Sequence, residues 1–86
     1  MREVNEPTRL SVSAHLVDAR GKACPAPIIE LAKALKGHAE VELWATDPAT
    51  KPDLDAFAAA TGHRVAEVKQ GKPFQAVVQR KRLVGP

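Results

Sequence analysis

The sequence predicts an α/β chain of the α+β two-layer sandwich type, ordered βαβαββ, with a four-stranded mixed sheet and two helices on one face. Three observations predict it. Four short runs, at 14–19, 40–45, 64–69 and 74–80, are apolar or alternate apolar with polar residues, as strands do. Two stretches between them repeat apolar residues at helical spacing, and Gly, Pro and Asp punctuate the joins. A chain of 86 residues holds a single domain and one modest core.

Residues 1–13 are polar and aperiodic and read as a loose N-terminal arm. The domain is expected over 14–82, with a short tail at 83–86. The first strand, Ala14 to Ala19, runs into turn residues Asp18 and Gly21. Ile28, Leu31, Ala32 and Leu35 recur at i, i+3, i+4 and i+7, and Gly37 stops that helix. In the second strand Val41, Leu43 and Ala45 share one face, while Glu40, Glu42 and Trp44 share the other. Leu54, Phe57, Ala58 and Thr61 carry the second helix to Gly62. Strands at 64–69 and 74–80 flank Gln70-Gly71-Lys72-Pro73, a hairpin-length connection. Two strand–helix–strand passages imply parallel pairs, and the final hairpin is antiparallel. One sheet face then lacks helical cover. Trp44 belongs to it, under the arm or a docking partner, and the arm is the preferred cover.

Composition excludes several functions. No run approaches the ~18 apolar residues a membrane span needs, and the first dozen residues lack the apolar stretch of a secretory signal. The net charge of +3 is mild, and Trp44, Phe57 and Phe74 are the only aromatic rings of the Phe, Trp and Tyr types. Nucleic-acid binding is therefore not expected, and Arg80-Lys81-Arg82 reads as a solvated strand end. One cysteine, Cys24, rules out an internal disulfide and a multi-thiolate zinc site. His15, His38 and His63 lack ligand spacing, so no metal is expected, and glycine-rich phosphate motifs are absent. A lone thiol points to a reducing compartment, the cytoplasm.

Any chemistry sits at Cys24. Cys24-Pro25-Ala26-Pro27 lies between the first strand and first helix, where α/β folds place reactive groups. The helix N-terminus, Arg20 and Lys22 all favour thiolate over thiol, and thiolate is the nucleophile. Asp18 is expected to cap its own turn. Pro25 suits a first helical position, whereas Pro27 disfavours helix at Ala26. A stiff, extended elbow at 24–26 is expected, with the helix beginning near Pro27. The alternative for Cys24, a small buried hydrophobe, fits an apolar stripe better than a Pro-flanked turn.

Leu16-Val17-Asp18, Gly21 and Cys24-Pro25-Ala26-Pro27 resemble the opening of the TusA/SirA family of small sulfur carriers. Asp47-Pro48-Ala49-Thr50, Asp53-Leu54, Phe57 and Gly62-His63 extend the resemblance over about 14–81. It implies a βαβαββ fold and transfer of sulfane sulfur as a persulfide on Cys24, with no cofactor. It implies a donor protein, either a cysteine desulfurase or a rhodanese-type enzyme, and an acceptor protein. Pathways served by the family include tRNA thiolation, molybdenum cofactor synthesis and sulfur oxidation. The arm lies outside the shared pattern, and Trp44 stands where the family usually has an aliphatic residue.

Asp47 opens the second strand–helix loop on the same sheet edge as Cys24. It either caps that turn or approaches the thiol or a partner. Three function classes follow. The first is a sulfurtransferase acting as a stoichiometric carrier. The second is a thioredoxin-like thiol reductase, but Pro27 occupies the place of a resolving cysteine. The third is a non-catalytic regulatory or nucleic-acid-binding module.

Overall fold

The structure, a computed structural model, describes residues 8–81. The first seven residues of the expected arm, Arg82 and the expected tail lie outside the described residues. The observed order is β1 (His15–Ala19), α1 (Ala26–Gly37), β2 (Glu40–Ala45), α2 (Thr50–Thr61), β3 (Arg64–Lys69) and β4 (Phe74–Gln79). The sheet is four-stranded and mixed, as the patterning predicts.

Strand order is β1-β2-β4-β3. β1 pairs parallel with β2, Val17 opposite Leu43, and β3 and β4 form the antiparallel hairpin. The second expected parallel pair does not form, because β4 inserts between β2 and β3 and runs antiparallel to both. Burial explains the order. Phe74 to Val78 are buried without a break, whereas β3 carries Arg64, Glu67 and Lys69 and is exposed at most positions. A strand apolar on both faces belongs in the middle, and a charged, bulged strand suits an edge. The bulge falls between Val65 and Glu67.

Both helices lie against the face formed by Val17, Ala19, Val41, Leu43, Phe74, Ala76 and Val78. Leu31 and Leu35 from α1 and Leu54 from α2 complete this core. Each is at most 2% exposed. Removing any of them to Ala costs about 2–5 kcal/mol through lost transfer energy and a cavity. Gly62 closes α2 in the left-handed conformation, φ 82°, where a Cβ would be strained.

The other face is covered by residues of the arm. Trp44 is 1% exposed there, and Glu42 beside it is wholly buried. The Glu42 carboxylate accepts from Leu10 N–H and Ser11 N–H, each at 2.9 Å, and from the Trp44 indole at 2.7 Å. Gln75 Nε2 and Arg9 Nε donate from farther out, at 3.4 and 3.5 Å. Gln75 Nε2 also donates to Thr8 O. A bare carboxylate in that place would be costly, and these donors replace its water. Burial alone would push the Glu42 carboxyl up; the Leu10 and Ser11 amides, with Trp44 and Gln75, outweigh it and hold the carboxyl below its ordinary value.

Candidate functional site

The β1–α1 and β2–α2 connections meet at one edge of the sheet, because β1 and β2 are parallel and adjacent. Cys24 occupies the first connection, half-buried. The chain arrives through a tight turn. Gly21 takes φ 83°, open to glycine and strained for other residues, and donates its N–H to Thr46 Oγ1 at 2.8 Å. Asp18 caps its turn by accepting from Arg20 N–H, as the sequence suggested.

The elbow at 24–26 is not extended. Ala26 N–H donates to Ala23 O at 3.0 Å, closing a turn whose Cys24–Pro25 peptide is cis. Pro25 is the N-cap of α1, Ala26 its first residue and Pro27 its second, and Ile29 N–H bonds back to Pro25 O. The local bias of Pro27 against helix at Ala26 yields to this closed turn. Pro27 is buried under the helix while Pro25 stays exposed. The thiol thus stands just before α1.

Asp47 joins the two connections. Its Oδ1 accepts from Ala49 N–H at 2.8 Å, turning the chain into α2, and its Oδ2 accepts from Cys24 N–H at 3.2 Å. The capping role and the approach to the cysteine are both present, through the Cys24 backbone. Thr50, the first residue of α2 and wholly buried, places Oγ1 3.4 Å from Cys24 Sγ. Asp53, one helical turn further along α2 and half-buried, adds a carboxylate whose charge pushes the thiol up. Cys24 therefore lies at the N-terminal ends of two helices.

Its electrostatics differ from the expectation. Arg20 forks onto Asp18, with Nη2 to Oδ2 at 2.7 Å, and its guanidinium lies 5.0 Å from the Trp44 ring centre. Lys22 pairs with Glu30 of α1. Both cations already have carboxylate partners, and the side chain hydrogen-bonded to the sulfur is Thr50. Burial pushes the Cys24 thiol up, the Thr50 hydroxyl opposes, and the two carboxylates add to the rise. The unpaired N–H groups and dipoles of two helix ends act in the opposite direction.

Thr50 contacts the thiol although the sequence pattern did not mark it as a site residue. The available signal was Asp47-Pro48-Ala49-Thr50 itself, which starts α2 beside the cysteine, with Asp53 following at i+3 on the same helix face. His63 is structural, Nδ1 accepting Lys81 N–H at 2.7 Å. His15 and His38, distant in sequence, stack at 3.8 Å. Among the described residues no three His, Cys, Asp or Glu side chains are placed to hold a metal ion. The broad surface groove between Glu40, Gly62, Arg64 and Arg80 opens at the opposite end of the sheet from Cys24.

A small α+β sandwich with one half-exposed cysteine at the meeting of two helix N-termini defines a class of single-thiol proteins. Comparison with known sequences makes the class specific: the family model "Sulfurtransferase TusA" matches residues 15–80. The chain is 35% identical over 68 residues to the sulfur carrier protein TusA of Allochromatium vinosum, covering 74% of this chain and 90% of that one. It is 34% identical over 70 residues to a candidate sulfur carrier protein of Archaeoglobus fulgidus, covering 77% of this chain and 94% of the other. A candidate sulfur carrier of Bacillus subtilis, YrkI, is 40% identical over 58 residues, 64% of this chain and 77% of that one. The chain belongs to the TusA family of sulfurtransferases and is a sulfur carrier protein.

Proposed function

We propose that Cys24 accepts sulfane sulfur as a persulfide from a donor protein and passes it to an acceptor protein. The observation that carries this reading is the position of the chain's one thiol, half-exposed at the sheet edge beside the helix N-termini and at the opposite end of the sheet from the broad groove. A thiol so placed suits a protein partner that brings its own reacting sulfur, more than a small molecule that needs an enclosing pocket.

In the loading step the Cys24 thiolate attacks the outer sulfur of the donor's persulfide. The new bond is Cys24 S–S; the donor's S–S bond breaks and its thiolate leaves, taking up the proton that Cys24 gave up. In the unloading step an acceptor thiolate attacks the outer sulfur in the same way and regenerates Cys24. Each transfer is stoichiometric. Without a second cysteine the chain cannot displace its own sulfur, which also disfavours a dithiol reductase.

Pro25 and Pro27 shape the loop, Asp47 fixes its backbone, and Arg20 and Lys22 frame it through their carboxylate partners. A cysteine desulfurase or rhodanese-type enzyme is the proposed donor. The proposed pathways are tRNA thiolation, molybdenum cofactor synthesis or sulfur oxidation, and the proposed compartment is the cytoplasm. No helix among the described residues is long and apolar enough to cross a membrane. The test is transfer of radiolabelled sulfur from a desulfurase charged with labelled cysteine, expected on the native protein and absent from Cys24→Ser. Equal labelling of both would refute the assignment to Cys24.

A further inference from the structure

Trp44 makes two contacts that an aliphatic side chain in its place cannot make. Its indole N–H donates to Glu42 Oε2 at 2.7 Å, and its ring lies 5.0 Å from the Arg20 guanidinium. Glu42 belongs to the seat of the arm. It is wholly buried and accepts from the Leu10 and Ser11 amides, while Arg9 Nη2 donates back to Ser11 O at 3.3 Å. Arg20 belongs to the thiol loop. Its Nε and Nη2 fork onto Asp18 at 2.8 and 2.7 Å, and Asp18 is the register partner of Trp44 across β1 and β2. Arg20 leads directly into Gly21, whose N–H is tied to Thr46, and on to Cys24, tied to Asp47. A continuous line of contacts joins the arm to the loop that carries the thiol.

We propose that Glu42 and Trp44 are positioning residues for sulfur transfer: through them the docked arm fixes Arg20 and holds the β1–α1 loop in the form a protein partner meets. The inference rests on the persulfide-carrier reading and adds the arm to its working parts. The arm lies outside residues 15–80, which the family model matches.

The physical argument starts from water. With the arm in place the Glu42 carboxylate is out of contact with solvent, so its bond to the indole is charge-assisted and uncontested. The ring then has one orientation. A fixed aromatic face is a seat for a guanidinium, which stacks on it and is attracted to it. Without the arm, water competes for both carboxylate oxygens and the indole loses its anchor. Arg20 keeps Asp18 but loses the surface that orients the pair. The loop retains its ties at Gly21 and Cys24 and loses the one at its start. A cation–π contact at a partly exposed site is worth about a two- to fivefold change in a local equilibrium. A partner that binds only the ordered loop feels that change as weaker docking, with the chemical step untouched.

The experiment uses the full chain and Ser11→Pro, which deletes an arm amide bonded to Glu42 and touches neither the core nor the thiol loop. Three quantities are read: the proton–nitrogen signal of the chain's one indole, amide exchange at Gly21 and Cys24, and desulfurase kinetics with the carrier as sulfur acceptor. Ser11→Pro should move the indole proton upfield and speed exchange at both amides about two- to fivefold. It should raise the KM for the carrier by a similar factor and leave kcat in place. Ser11→Ala, which keeps the amide, should restore all three. Glu42→Gln, of the same size, is the second variant and should repeat the changes of Ser11→Pro. Beside Arg20→Lys, which lacks the fork, Ser11→Pro should change loop exchange no further, whereas a merely structural loss would add. An unmoved indole signal, a moved one with unchanged loop exchange and KM, or full additivity with Arg20→Lys overturns the proposal. Exchange and the indole signal need no sulfur, so the two readings fail separately. Loop shifts in a protein that never loads count against the carrier reading alone, and loading with unshifted loop exchange counts against the arm's role alone.

Discussion

Cys24 sits in a turn, and its packing contribution is small compared with that of Leu31 or Leu54, which fill the core. Cys24→Ser should therefore melt close to the native protein, within about 0.5 kcal/mol, because surface and loop changes rarely cost more. Thermal denaturation checks it. Asp47 is different, since one carboxylate satisfies amides from two connections. Asp47→Ala should destabilise by about 1 kcal/mol, the cost of leaving the part-buried Cys24 amide unmatched and the exposed Ala49 amide uncapped. It should also loosen the Cys24 turn, visible as faster amide exchange at Cys24 and Ala49. Cys24 and Asp47 were legible in the sequence because each stands in a loop whose turn residues mark it. Thr50 was not read as a thiol neighbour, because its contact depends on how two segments 26 residues apart close together in space. The balance of charge was missed for the same reason. Arg20 and Lys22 lie close to Cys24 along the chain, yet their partners Asp18 and Glu30 claim them.

Among the elements, β2 carries the most information. Its alternation assigned Val41, Leu43 and Ala45 to the helices and Glu42 and Trp44 to the open face, and the structure agrees. The alternation does not say that Glu42 gathers the arm by its backbone amides. That follows only when residues 8–14 are laid across the sheet. Glu42→Ala should cost about 2–4 kcal/mol, since it strands the Trp44 indole and the Leu10 and Ser11 amides away from water. Chemical denaturation reads it, and Trp44 fluorescence should shift to the red as water enters. The pH dependence has a definite sign. A carboxyl held low in the folded state stabilises fully above its unfolded value near 4.3, and that stability is lost as pH falls through the lower folded value. Glu42→Gln should flatten the acid limb of the stability profile. Strand order was the part of the fold that local pattern did not deliver. Each strand was visible from its own residues, but the choice of neighbour depended on comparing β3 with β4. Phe74-Gln75-Ala76-Val77-Val78 is apolar enough for the centre, and Arg64-Val65-Ala66-Glu67-Val68-Lys69 is not.

Over the whole molecule, the parallel β1–β2 pair brings both helix N-termini and the lone thiol to one edge, leaving the basic groove at the other. In the proposed function this edge is a stand for one sulfur atom. Transfer must be between molecules, because the chain offers no second thiol. Its rate should rise in proportion to the concentration of donor protein until docking saturates. The central claim is that this atom is carried on Cys24 as a persulfide. Its most direct test is intact-mass measurement after incubation with a cysteine desulfurase and cysteine. The native protein should gain the mass of one sulfur atom, lose it to dithiothreitol, and keep it when the donor is removed, while Cys24→Ser gains nothing. A native protein that alkylates readily at Cys24 yet never gains sulfur from desulfurase or rhodanese-type donors would contradict the account.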